Sequence, residues 1–75
     1  MLRNTAGRIV AVQEQRFRLL TDEGQVVLLT LARDARLDGA GLAELYRRRT
    51  RVAVAFSGQP NLIGGLAHAV REAAR

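Results

Sequence analysis

The chain is 75 residues long, carries a formal net charge of +5, has no cysteine, and draws all twelve of its basic residues from arginine. That length is one domain and leaves little room for a deep catalytic cleft, because so short a chain buries only about 60% of its unfolded surface. Without cysteine there are no disulfides and no thiolate metal sites, and an apolar fraction of 48% with 25% charge excludes a disordered chain. No apolar run approaches the ~20 residues of a membrane span. Met1-Leu2-Arg3-Asn4 lacks the apolar centre of a signal peptide, so a cytoplasmic location is expected. The excess of arginine argues for polyanionic partners and is silent about fold.

Gly7-Arg8-Ile9-Val10-Ala11-Val12 is rich in β-branched residues and predicts a first strand over residues 8–14, which Gln13-Glu14-Gln15 interrupts. Residues 1–6 are expected to be a frayed tail. Arg16-Phe17-Arg18-Leu19-Leu20-Thr21 alternates, with Phe17 and Leu19 on one face and Arg16 and Arg18 on the other. Asp22-Glu23-Gly24 signals a tight turn in which Gly24 can take positive φ, so the second and third strands are expected to form an antiparallel hairpin. The third strand, residues 25–32, is apolar on both parities at Val26-Val27-Leu28-Leu29-Thr30-Leu31. Such a strand is expected to be covered on both faces, by the core on one side and by the helix, a second copy of the chain or another protein on the other.

A loop with Arg33, Asp34 and Arg36 leads to Asp38, a good N-cap for a helix over residues 40–49. Leu42, Leu45 and Tyr46 recur at i, i+3, i+4 as one apolar stripe. Arg47-Arg48-Arg49 is expected to fill the last turn, where cations suit the negative end of the macrodipole. Arg51-Val52-Ala53-Val54-Ala55-Phe56 alternates as a fourth strand over residues 51–57. Ser57-Gly58-Gln59-Pro60-Asn61 reads as a turn, and Gly64-Gly65 as a bend. Residues 65–70 are taken as a fifth strand, although the segment from Leu66 onward has helical propensity, and residues 71–75 as a frayed or helical tail.

Strand-strand-strand-helix-strand-strand is the element order of a five-stranded OB-fold Greek-key barrel, all-β with one helix between strands 3 and 4; an SH3-like barrel is the alternative. Gly7-Arg8-Ile9, Phe17-Arg18-Leu19, Asp22-Glu23-Gly24-Gln25-Val26-Val27 and Arg51-Val52-Ala53-Val54 together resemble the S1-type OB domains, among them the family of bacterial translation initiation factor one. The resemblance spans residues 7–57 and rests on short motifs. It implies RNA binding on the face of strands two and three, which would place Arg16 and Arg18 on the binding face. Two departures stand out. The family's short basic segment between strands three and four is a longer loop and a full helix here, and its basic stretch near the chain end corresponds to the uncharged segment Gln59–Gly65.

Arg16 and Arg18 project from one strand face, and Arg8 on the neighbouring strand joins them in a row that can track phosphates. Arg47, Arg48 and Arg49 with Arg51 form the densest positive cluster. The nucleic-acid-binding candidates are therefore Arg8, Arg16, Arg18, Arg47, Arg48 and Arg51, with a solvated barrel face and a cation-dressed helix end as the plainer readings. Phe17, Tyr46 and Phe56, the only aromatics, fall on core-facing positions, Tyr46 with room for its hydroxyl at the rim, so a base-stacking platform is poor and binding is expected to be weak, electrostatic and tolerant of sequence.

His68 is the only histidine and has no partner for an ordinary zinc site. Gly39-Ala40-Gly41 lacks the third glycine and the βαβ frame of a dinucleotide fingerprint, and no lysine exists to complete a P-loop. Ser57 and the threonines have no evident base in the sequence, and Asp22 and Glu23 sit in a turn, so no enzyme activity, metal or cofactor is expected. The function read from the sequence is single-stranded RNA or DNA binding. The alternative is a protein-interaction or self-assembling module that covers Val26–Leu31, as a homodimer or with a protein partner. A membrane-surface role for the helix end ranks last, because the helix lacks a large apolar face.

Overall fold

A computed structural model describes residues 2–59 and 65–73. Its elements are β1 (Arg3–Gln13), β2 (Arg16–Thr21), β3 (Val26–Leu31), α1 (Gly39–Arg47), β4 (Arg51–Ser57) and β5 (Leu66–Glu72). The strands close into a barrel in the order β1-β2-β3-β5-β4. All pairings are antiparallel except β3 with β5, which run parallel over Thr30↔Leu66 and Leu31↔Ala67. This closed, mixed five-stranded barrel with one helix between β3 and β4 is consistent with an OB-like fold. Expectations for Pro60, Asn61, Leu62 and Gly64 lie outside the described residues, as do those for Met1, Ala74 and Arg75.

Alternation builds the interior. Phe17 and Leu19 of β2, Leu29 and Leu31 of β3, and Val52, Val54 and Phe56 of β4 all point inward and are buried. Leu42 and Leu45 of α1 enter the same cluster, as does Ala67 of β5. Phe17 and Leu19 each bury a side chain that contributes roughly 1.5–3 kcal/mol. At Gly7, which pairs with Thr21 of β2, an added Cβ would lie 2.0 Å from the Leu20 carbonyl oxygen. The β1–β2 approach there requires glycine.

Four expectations are corrected. Residues 3–6 are not frayed: Arg3, Asn4, Thr5 and Ala6 pair with Phe56, Ala55, Val54 and Ala53 of β4. The Arg3 guanidinium also lies 4.8 Å from the centre of the Phe56 ring, so a polar-looking start is held by backbone pairing and a cation–π contact. At the other end β5 runs past Val70, and Arg71 and Glu72 pair with Ala53 and Val52. Closure of the barrel by β3 and β4 overrides the helical propensity of this segment.

The helix is shorter than expected. Arg47 is its last residue, Arg48 is the C-cap, and Arg49 is left-handed at φ 55. The Arg49 N–H donates to the Tyr46 carbonyl at 3.1 Å and the Thr50 N–H to the Leu45 carbonyl at 3.2 Å, a Schellman closure with arginine where glycine is usual. At the other end the Asp38 side chain caps the helix as expected, accepting from the Gly41 N–H at 2.8 Å.

Finally, β3 is not covered on both faces by the chain itself. Its outward residues are Val26, 52% exposed, and the half-buried Leu28 and Thr30. The helix packs against β1, not over β3, because Leu42 and Leu45 are drawn into the barrel interior.

Candidate functional site

The outer face of β1, β2 and β3 is organised by cross-strand register. Leu20 lies between Arg8 of β1 and Val26 of β3, Arg18 between Ala11 and Leu28, and Arg16 between Gln13 and Thr30. Successive outward positions of β2 thus present Arg16, Arg18 and Leu20 to solvent, with Arg8 diagonal to Arg18. Val10 follows the buried Ile9 and faces outward, 42% exposed, and a bulge there, where pairing passes from Ile9↔Leu19 to Ala11↔Arg18, brings Ala11 onto the same face.

Val10 also borders a cleft toward the end of α1. Arg8, Val10 and Leu20 form one wall, and Tyr46, Arg47 and Arg49 the other, around a volume of about 450 Å³. Tyr46 was expected to face the core; it is 41% exposed instead. The helix reaches the barrel with Leu42 and Leu45, and the next stripe position has already turned past the interior. One aromatic ring therefore stands beside three arginines, which the sequence pattern did not reveal.

The candidate arginines separate into two groups. Arg8, Arg16 and Arg18 share the outer face, and Arg47 joins Arg8 across the cleft. Arg48 and Arg51 do not join them. Arg48 lies 3.8 Å from the carboxylate of Glu72 on β5, and Arg51 forms an ion pair with Asp22 of the β2–β3 turn. A hydrogen bond from Arg51 holds the Asp22 carboxyl below the usual carboxylate range, with the charges of Arg51 and Arg8 adding to it, and the same pair raises Arg51. Arg47 pairs with Glu44 one turn earlier on the helix. Arg49 was passed over in the sequence among three consecutive arginines. Its left-handed backbone, which sequence spacing does not announce, points it away from the helix axis and into the cleft wall.

A second group of polar side chains assembles on β4, β5 and the β3–α1 loop. Ser57, for which the sequence offers no base, has its Oγ 2.7 Å from Nε2 of His68. The Nδ1 of His68 lies 2.8 Å from a carboxylate oxygen of Asp34. Among the described residues no cluster of His, Cys, Asp and Glu has the composition of a metal site, and no helix is long and apolar enough to cross a membrane.

Comparison with known proteins places the chain in no group: no family model, no curated protein and no solved structure matches it.

Proposed function

We propose that this protein binds single-stranded nucleic acid, RNA or DNA, on the outer face of β1–β2–β3 and the adjoining cleft. The observation that carries the reading is the convergence of Arg8 and Arg49, neither in an ion pair among the described residues, with the exposed Tyr46 at one end of the Arg16–Arg18 row. Arginines on an outward row can follow a phosphate backbone, and a single exposed ring gives one base a surface to stack on. The OB-like barrel agrees with it, since that scaffold uses its strand 2–3 face for oligonucleotides. The S1-type resemblance over residues 7–57 points the same way. One ring and four or five arginines make a weak, salt-sensitive and sequence-tolerant binder.

Fluorescence anisotropy of labelled single-stranded RNA and DNA tests the reading. With four arginines each neutralising a phosphate, affinity falls roughly 50-fold between about 50 and 200 mM salt, from a slope of about −0.7 per contact. Arg16→Glu with Arg18→Glu should abolish most of the binding; affinity indifferent to both changes and to salt overturns the proposal.

A second reading is supported by the apolar residues on the same face. Val10, Leu20 and Val26 are each more than two-fifths exposed, with Leu20 and Val26 directly opposite one another. Such a strip suits a protein partner or a second copy of the chain. Under this reading the chain forms a dimer or hetero-complex that Leu28→Gln disrupts. A monomer at high micromolar concentration by sedimentation, with Leu28→Gln as soluble as wild type, removes it.

A further inference from the structure

Ser57, His68 and Asp34 are drawn from three separate elements, and the order of their hydrogen bonds is chemically specific. Asp34 as a carboxylate can only accept, so the Nδ1 of His68 carries a hydrogen. In the neutral ring that leaves Nε2 with its lone pair, and the hydroxyl of Ser57 donates to it at 2.7 Å. Hydroxyl to Nε2 and Nδ1 to carboxylate is the arrangement in which imidazole serves as general base for a serine nucleophile.

The backbone holds each member in place. Ser57 ends β4. His68 is the bulged residue of β5, between the pairs Ala55↔Ala69 and Phe56↔Ala67, and a bulge re-aims a side chain that regular pleating would send elsewhere. Asp34 follows Ala32, whose N–H is bound to the Ala67 carbonyl at 2.9 Å, so the start of the loop is pinned beside His68. A second cleft of about 450 Å³ is lined by Asp34, Arg36, His68 and Arg71, so two arginine side chains share a cleft wall with two members of the relay.

We propose that Ser57, His68 and Asp34 form an acyl-transfer site for small activated esters that carry a carboxylate or phosphate group. The Oγ of Ser57 bonds to the ester carbonyl carbon while its proton passes to Nε2 of His68. The carbon–oxygen bond to the leaving group then breaks, and the leaving oxygen takes the proton from Nε2. Water, deprotonated by His68 in turn, cleaves the acyl-Ser57 ester, releasing the carboxylic acid and restoring the hydroxyl. Asp34 positions the ring and offsets its transient charge, and Arg36 and Arg71 attract the anionic group of the substrate. The site shares no residue with the arginine face of β1–β2–β3, so the two proposals stand or fall separately.

The test is acylation of the intact chain by nitrophenyl acetate and by its ring-carboxylated analogue, read by nitrophenolate release and by peptide mapping of the acetyl group. The expected result is acetylation of Ser57, with the carboxylated ester favoured and that preference lost in the Arg36→Gln/Arg71→Gln double variant. His68→Gln should slow the reaction about 100-fold, the lower range for general-base assistance. Asp34→Asn should slow it about 10-fold or more by removing the carboxylate charge and offering Nδ1 an amide donor, which favours the wrong tautomer. Asp34 has a largely exposed side chain, so this variant tests the relay even where Ser57→Ala or His68→Gln fails to fold. Acetylation confined to Tyr46 or the N-terminus overturns the proposal. So does a rate on Ser57 that is equal in wild type, in Asp34→Asn and in the urea-unfolded chain.

Discussion

The arginines of the β1–β2–β3 face and those at the seam of the helix end with β4 and β5 are chemically identical and differently employed. Arg8, Arg16, Arg18 and Arg49 make no ion pair among the described residues, whereas Arg47, Arg48 and Arg51 are matched to Glu44, Glu72 and Asp22. The densest run of positive charge in the chain is thus the more neutralised one, and the sparse alternation of β2 leaves the more available charge. Exposed pairs of this kind add little stability, but each places a carboxylate where a phosphate would otherwise bind.

That contrast can be broken most decisively by charge reversal. Arg16→Glu with Arg18→Glu is expected to weaken single-stranded RNA binding about 100-fold or more at low salt and to flatten its salt dependence. Arg48→Gln should leave affinity within about 2-fold, since its charge already faces Glu72. Equal losses in the two variants, measured by anisotropy, would show that ion pairing does not sort the two groups.

Tyr46→Ala comes next. Removal of one stacking surface is expected to weaken binding about 10-fold, within the range of about 1–3 kcal/mol per stacked base. The salt slope should stay unchanged, which separates ring from charge.

Arg49→Gly sharpens the comparison in two directions at once. Relief of a left-handed non-glycine residue should stabilise the fold by about 1 kcal/mol, read as a higher urea midpoint with unchanged slope. Loss of its charge from the cleft should weaken RNA binding a few-fold. A variant that gains stability and loses nothing in binding would remove Arg49 from the interface.

The smallest effect concerns Arg51 and acid. Because Asp22 has a lowered pKa in the folded chain, the pair stabilises above the unfolded carboxyl pKa of about 3.9. That contribution is lost as pH falls through the folded value. Arg51→Gln should therefore be slightly less stable than wild type near neutrality, and the gap should close in strong acid. Urea unfolding at a series of pH values checks this; a gap that persists below the folded pKa would assign the stability to something other than the pair.

Much of the fold was legible because it rests on local pattern. The alternation of Arg16–Thr21 and Arg51–Ser57 assigned inward and outward faces correctly, and Gly24 sits at φ 91 in the turn where glycine can take positive φ. The cap at Asp38 follows from side-chain chemistry within three residues. The ends of the barrel were less legible: Arg3–Ala6 and Arg71–Glu72 are strands only because β4 lies between β1 and β5 and supplies hydrogen-bond partners to both. No local propensity encodes a partner some fifty residues distant.

The candidate sites divide in the same manner. Composition and period two determined that a barrel would form and that Arg16 and Arg18 would lie outside it. The tertiary structure decided which other charges join them, by turning Tyr46 out of the core and ending α1 at a left-handed Arg49. It also decided that Asp34, Ser57 and His68 would meet, since a hydrogen-bonded relay depends on through-space distance, which strand order and a bulge in β5 set and residue spacing along the chain does not.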